Sequence, residues 1–495
     1  MQASFSNTSV WVSFAFTVGI VVFISRRIRL RSPPLPPGPP GHWLFGTTVP
    51  LEDAWRINEE WTQQYGPVFS YRQGTRRVVV IGRHQAAVDI LEKDGAVTLD
   101  RPENIPVITA SGGLRVINMS WNDQTRKLRR AMHDRLRHKV ATTYGHIQEE
   151  NSRNLILDIL DNPDAHQVHV RRYAASVILR IAYGKTTPTY VSDPEVQHII
   201  AIVARMGRIF APGSLLVDRI PFLRHVPGIL DEQKAWHKDE LGLFRGKIDA
   251  VREAMAHGRA EESFAKFLLT EQAKLDISDD EMAYLAGSLF GAGSDTTASV
   301  LGWVIQAAAV HPQAQARVQD ELDRVLGRER APNFEDEDAL PQVTAFMLEV
   351  YRWRPTSIIG FAHRVRSDIR WRDFLIPADS TILGSHWSIA HDPDVWHSPD
   401  RFDPGRWLDE EGKILKDKKT FMFGFGRRVC PGQHVANRSV FINTAMLLWS
   451  FHIKEDPANP INTMDFRGGT IMHPSPFKVV FENRIQELKS LITDM

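Results

Sequence analysis

The sequence predicts an α+β protein, mostly α, in which one catalytic domain follows a single N-terminal transmembrane helix. Three stretches lead to that reading. Residues 1–25 carry no charged side chain, and Arg26, Arg27, Arg29 and Arg31 follow at once. Asp279 to His311 reads as one long apolar helix with small residues and threonines at its centre. Cys430, the only cysteine in 495 residues, sits in a glycine-punctuated loop ahead of the apolar run Val440 to Leu448, which reads as a buried helix. The strand patterns elsewhere are short.

Composition narrows the function. The balance of 60 Lys+Arg against 59 Asp+Glu argues against a dedicated nucleic-acid binder. A hydrophobic content of 43% suits a large core. One cysteine allows no intramolecular disulfide and fits a reducing compartment.

The apolar stretch is strongest from Val10 to Ile24. Counted from Phe5 it gives about 20 residues, roughly 30 Å of helix and enough to span a bilayer. The arginines after it place the rest of the chain on the cytoplasmic side. A cleaved signal peptide is the competing reading, but its positive charge would precede the apolar run. Pro33 to Pro40 is a stiff, extended spacer. The expected organisation is thus an anchor over 1–25, a basic and proline-rich hinge over 26–40, and a catalytic domain over 41–495. Within that domain a helix spans Ala54 to Tyr65. Strands Val68 to Arg72 and Arg77 to Ile81 form a hairpin around Gln73-Gly74-Thr75. A helix follows from His84 to Lys93, and a basic helix runs from Arg126 to Lys139. Residues 145–280 are mostly helical, interrupted by the apolar loop Phe210 to Leu216.

In the long helix, interior glycines and the pair Thr296-Thr297 lower helix stability, and a Thr hydroxyl can bond back to a carbonyl. Such a stretch serves either a close helix crossing or a local opening beside the acid Asp295 and the alcohol Thr296. Glu349 and Arg352 share a helix face at i,i+3. Short strands are expected from Trp371 to Leu383, and a last strand pair from Met472-His473-Pro474 and Phe477 to Val480. In the cysteine loop, Gly426 and Gly432 allow close backbone approach. Arg427, Arg428 and the following helix N-terminus favour a thiolate. An inert buried cysteine is the alternative, and the spacing of the loop argues against it.

Phe423, Gly426, Arg428, Cys430 and Gly432 match F-x-x-G-x-R-x-C-x-G, and in this the chain resembles the cytochrome P450 monooxygenases. Ala292, Gly293, Asp295 and Thr296 fit that family's [AG]-G-x-[DE]-T, Glu349 and Arg352 its E-x-x-R, and Phe402 to Trp407 its F-x-P-x-R-[FW], which contributes Arg406. The motifs fall in family order along essentially the whole chain, and the anchor and hinge are similar to those of microsomal members. The resemblance implies the P450 fold and heme b with Cys430 as axial iron ligand. It implies Asp295 and Thr296 as proton donors, and a structural triad of Glu349, Arg352 and Arg406. Arg129, His363 and Arg428 would hold the heme propionates, with Arg364 as the alternative to His363. Arg129 fits the Arg of the family's W-x-x-x-R, but Thr125 stands where the Trp belongs and Trp121 lies four residues earlier.

The same resemblance implies the partners: O2, an apolar small-molecule substrate and the membrane, with no nucleic acid. The length leaves no room for flavin domains, so electrons would come from NADPH through a separate NADPH-cytochrome P450 reductase. It would dock on the basic helix with Lys416, Lys418, Lys419 and Arg438. The location would be the endoplasmic reticulum membrane. The Asp373 to Pro377 stretch and the Gly-Phe-Gly-Arg-Arg run look like fungal secondary-metabolism members. Two other classes remain open: a heme-thiolate isomerase or dehydratase needing no external electrons, and a non-catalytic heme sensor.

Overall fold

The computed structural model describes residues 33–47, 49–50, 53–211, 213–467 and 469–494. The expected anchor and its arginine flank lie outside the described residues. Among the described residues no helix is long and apolar enough to cross a membrane.

The proline run does not stand off as a spacer. The carbonyls of Pro36 and Pro37 accept from the Ser70 hydroxyl and amide, both at 2.7 Å, and that of Pro34 accepts from the Leu375 amide at 2.9 Å. A Cβ on Gly38 would fall 1.8 Å from the Ser70 carbonyl oxygen, so only glycine lets the run lie this close. Prolines have no N–H to offer, so they cover a strand without extending its ladder.

That strand is β1 (Val68–Gln73), which turns through Gly74 (φ +59°) into β2 (Arg76–Ile81). Two distant segments, β3 (His363–Arg364) and β4 (Thr381–Gly384), complete a sheet of order β1-β2-β4-β3. The β2–β4 pair is parallel with Val78 opposite Thr381, and β3 runs antiparallel to β4 with His363 opposite Ile382. The sheet therefore carries His363 across to the N-terminal part of the chain.

The helices that build the site are α1 (Asp123–Leu136), α2 (His166–Tyr183), α3 (Pro194–Gly207), α4 (Asp231–Ala256), α5 (Asp279–Val310), α6 (Pro341–Trp353) and α7 (Gln433–Ser450). α5 is the axis of the core and packs on α2, α3, α4, α6 and α7. Ser278 and Glu281 form a capping box at its start, and Asp279, Asp280 and Glu281 fill its first turn, where the helix dipole favours negative charge. Its interior glycines serve close crossings. A Cβ on Gly287 would sit 2.3 Å from the Phe244 ring on α4, and one on Gly293 would sit 2.6 Å from Ile178 on α2. The helix is continuous through the glycines, and of the two readings of this stretch the close crossing is seen at Gly287 and Gly293.

Three expectations change in detail. The basic helix ends at Leu136 and a new turn starts at His138. The helix from His84 widens into a π-helical turn over Val88–Lys93. The two C-terminal segments do not pair with each other: His473–Pro474 pairs with Phe466–Arg467, and Val479–Asn483 with Phe451–Glu455. Pro474 and Pro476 have no N–H for a ladder. Met472 is tied to α5 instead, its carbonyl accepting from Ser299 Oγ at 2.5 Å and Trp303 Nε1 at 3.3 Å.

Candidate active site

Cys430 ends a loop held by its own backbone. Gly424 (φ +83°) and Gly426 (φ +49°) take left-handed conformations, and a Cβ on Gly426 would come within 2.9 Å of the Leu91 carbonyl. The Gly426 amide donates to Glu92 Oε1 at 2.9 Å, and the Cys430 amide to the Phe423 carbonyl at 2.9 Å. Burial pushes the thiol up. The backbone N–H groups of Gly432 and Gln433 and the charge of Arg129 pull it back down. The loop's own arginines do not act on the sulfur as expected: Arg427 is exposed and Arg428 is buried elsewhere. Arg129, reaching over from α1 to donate to the Val429 carbonyl at 2.8 Å, takes that part.

Four segments bring Arg101, Arg129, His363 and Arg428 together. Arg428 donates to the carbonyls of Leu99 (2.6 Å) and Met119 (2.7 Å), and its guanidinium lies 5.0 Å from the centroid of Trp121. Trp121, out of register for α1, thus packs on Arg428 from just before the helix. Thr125 stays inside α1, capped by Asn122. Arg101 is the member that the sequence reading missed. It donates to the carbonyls of Ile117 (2.9 Å) and Ala362 (2.6 Å). A single Arg in the irregular stretch after Leu99 gave no signal.

The cluster is short of negative charge. Among the described residues Asp100 is the one carboxylate beside it, and it is engaged by Arg364 (2.5 Å), the Trp121 amide (2.8 Å) and the Arg101 amide (2.9 Å). Arg364 is thereby used on Asp100, while His363 turns inward and is buried. Burial and the neighbouring Arg129 lower Arg428 to about 10, and burial with Arg428 and Arg129 pushes Arg101 well below the usual arginine range. Arg428 Nη1 is buried with no partner. A ligand carrying carboxylates fits this site. His363 Nδ1 lies 2.7 Å from the Thr98 carbonyl, and burial keeps the ring neutral. Its Nε2 donates only if an anion brings the second proton on.

On α5, Ala292 is exposed and Thr296 partly exposed although Ser294 and Thr297 are buried, so the two border open space. Thr296 Oγ1 donates to the Ala292 carbonyl at 2.9 Å. Asp295, about 100° around the helix, turns to the other side. Its Oδ1 lies 3.1 Å from His473 Nε2, and its side chain lines a cavity of about 20 Å³ with Arg171, Ala175, Ile199 and Ser294. His473 carried no signal in the sequence.

Below the loop, Glu349 and Arg352 are fully buried. Glu349 accepts from Arg352 Nε (2.9 Å) and Nη2 (2.8 Å), Arg406 Nε (3.0 Å), Trp407 Nε1 (2.9 Å) and the Asp403 amide (2.9 Å). Arg352 also donates to the carbonyls of Ala390 (3.1 Å), Pro399 (2.7 Å) and Arg401 (3.1 Å). Every polar atom of the group is used.

Two expected docking residues are used internally. Arg438 pairs with Glu337 at 3.4 Å and lies 3.6 Å over the Phe334 ring, and Lys418 donates to the Arg406 carbonyl at 2.7 Å.

The family model described as Cytochrome P450 matches residues 36–481. Cytochrome P450 monooxygenase 64 of Postia placenta is 49% identical over 473 residues, covering 95% of this chain and 96% of the relative. Cytochrome P450 monooxygenase 113 of the same fungus is 46% identical over 487 residues, covering 97% and 98%. A cytochrome P450 monooxygenase of Armillaria gallica is 33% identical over 508 residues, covering 98% and 96%. With a family match across nearly all of the described chain and relatives of this similarity, the protein belongs to the cytochrome P450 monooxygenase family.

Proposed function

We propose that the protein inserts one atom of O2 into an apolar small molecule of fungal secondary metabolism, with electrons from NADPH delivered by a separate reductase. The observation that carries this reading is the acid–alcohol pair on α5. Thr296 borders open space, and Asp295 stands behind it at a water-sized cavity with a partner on the outer side. An isomerase or a sensor needs no such pair.

Heme bound here, with Cys430 on its iron, supplies the activation of dioxygen. Burial keeps the free Cys430 thiol above its usual range, and the Gly432 and Gln433 amides and Arg129 offset part of that rise; bound to iron, the sulfur would be held as the thiolate. Arg101, Arg129 and Arg428 bind the propionates, and those anions let His363 Nε2 donate as well. Thr296 Oγ1 holds a hydrogen bond toward the open space when it releases the Ala292 carbonyl. Asp295 Oδ replaces the proton that Thr296 passes on. The Glu349 group fixes the chain that leads into the cysteine loop.

The exposed cations Arg130, Arg137, Lys139 and Arg427 support a docking face for the reductase around α1 and the cysteine loop. An apolar surface supports location at the endoplasmic reticulum membrane. Trp43 is 76% exposed, Phe45 58%, Leu216 60% and Phe222 75%. The segments that carry them approach each other at Gly74, whose amide donates to the Phe45 carbonyl at 2.8 Å and whose Cβ, if present, would lie 3.1 Å from the Arg219 carbonyl oxygen. Such a patch dips into a bilayer beside the expected anchor.

The test is expression beside NADPH-cytochrome P450 reductase with a metabolite library, followed by mass spectrometry and by NADPH and O2 uptake. A product heavier by one oxygen, with NADPH consumed, is expected. Product formed without NADPH would move the protein to the isomerase or dehydratase class.

A further inference from the structure

Among the described residues Asp295 has one close partner, His473. The segment 472–475 is already fastened. Met472 donates its amide to the Thr356 carbonyl at 2.8 Å and accepts from Ser299 and Trp303. Ser475 bonds Asp465 through its amide (3.2 Å) and hydroxyl (2.8 Å), and its carbonyl accepts from Gln167 at 3.4 Å. The imidazole between these anchors is free to act on the carboxylate alone.

The surroundings say what that action is. The side chains of His473 and Asp295 are 19% and 27% exposed, so the pair stands between the core and bulk water. The cavity beside Asp295, about 20 Å³, has room for a single water. The nearby charges are Arg171 on α2, which lines that cavity, Arg467, directly opposite His473 across the strand pair, and Asp465 behind Ser475. Neither Arg171 nor Arg467 has a carboxylate partner among the described residues, and Arg171 lines the same cavity as Asp295, so it is the cation toward which an unheld Asp295 would turn.

We propose that His473 is the positioning residue for Asp295, holding the carboxylate at the water-sized cavity and away from Arg171 so that it can resupply Thr296. The inference rests on the oxygen-activating reading of Asp295 and Thr296. It assigns His473 no contact with substrate or heme. Without His473 the carboxylate remains but points elsewhere, and reducing equivalents leave as hydrogen peroxide.

The experiment compares wild type, His473→Phe, His473→Gln and Thr296→Ala as heme-loaded enzymes with reductase. The probe is the library metabolite that the wild type oxidises. Product per NADPH and peroxide are measured together. In His473→Phe, product per NADPH should fall about tenfold, a small part of what a positioned proton donor is worth, with KM unchanged. His473→Gln, whose amide can reach the same oxygen, should restore most of it. A thermal double-mutant cycle with Asp295→Asn gives a readout without turnover: the two substitutions should be non-additive. If Thr296→Ala uncouples while His473→Phe stays coupled, His473 has no such role and the reading of the pair stands. Additive melting effects, or a Gln variant as impaired as Phe, make His473 a loop clamp and refute the proposal. If Thr296→Ala also stays coupled, the oxygen-activating reading falls and this inference with it.

Discussion

Removing the Glu349 carboxylate is the sharpest test of how the cysteine loop is held. Glu349→Ala leaves the fully buried guanidinium of Arg352 facing that of Arg406, which is 10% exposed, and it strands Trp407 Nε1 and the Asp403 amide. Breaking a buried ion pair by deleting one partner costs about 3–5 kcal/mol. Each stranded donor adds about 1–3 kcal/mol, less where the gap admits water. A loss of ~5 kcal/mol is comparable with the whole stability of many domains. The damage is local, since Arg352 and Arg406 also tie residues 390–401, so heme retention is the sensitive assay. Glu349→Ala should give little of the reduced carbon monoxide band typical of heme-thiolate proteins. Glu349→Gln keeps the shape but turns an amide toward a guanidinium, and should retain a part. A Glu349→Ala protein that loads heme fully and melts like wild type would show that the five bonds into this carboxylate contribute nothing.

Three further outcomes are expected. Cys430→Ser should load heme weakly and lose the thiolate-type carbon monoxide band, read by difference spectroscopy. Arg101→Ala should have opposite effects on the two forms. It relieves like-charge crowding in the heme-free protein, whose melting should rise, and it weakens heme retention about 10- to 100-fold, as read by transfer to apomyoglobin. Acid should destabilise the protein through buried neutral histidines. Burial lowers His391 to about 3 and His386 to about 4. The unfolded chain therefore binds more protons below about pH 6.5, and stability, full above that, falls as pH drops toward 4. At pH 5 each costs about 2 kcal/mol. His391→Gln should flatten the melting-versus-pH curve between pH 7 and 5; an unchanged slope would refute the assignment.

What was legible in the sequence is what a local pattern encodes. Helix α5 was bounded to within a residue at its end, because a capping residue, an acidic first turn and a Pro after His311 all lie within the local sequence. The hairpin of β1 and β2 was legible from its turn. Two of the misjudged regions are set by distant partners. Pro33 to Pro40 reads as a spacer until Ser70, thirty-odd positions on, takes its carbonyls. The strand pair expected at the C-terminus is undone by Ser299 and Trp303, more than 160 residues away in the chain. Arg101 and His473 were missed for the same reason. Each is a single polar residue, Arg101 in irregular chain and His473 in a two-residue strand, and only the fold brings its partners near.

The degree of satisfaction separates the scaffold from the binding site. Around Glu349, one carboxylate meets two guanidiniums, and the remaining arginine donors reach backbone carbonyls. Nothing there asks for a ligand. Around Arg428, three guanidiniums share one nearby carboxylate that Arg364 already holds, and a buried Nη1 stays unpaired. An unpaired buried donor costs about 1–3 kcal/mol, and here it coincides with two further guanidiniums and too few carboxylates. The missing anions are then part of the folded state's energetics, and whatever supplies them stabilises the fold by mass action. The stretches that the cluster stitches together, from Leu99 to Trp121 and from Phe421 to Cys430, should therefore be the ones whose amide exchange slows most when heme binds.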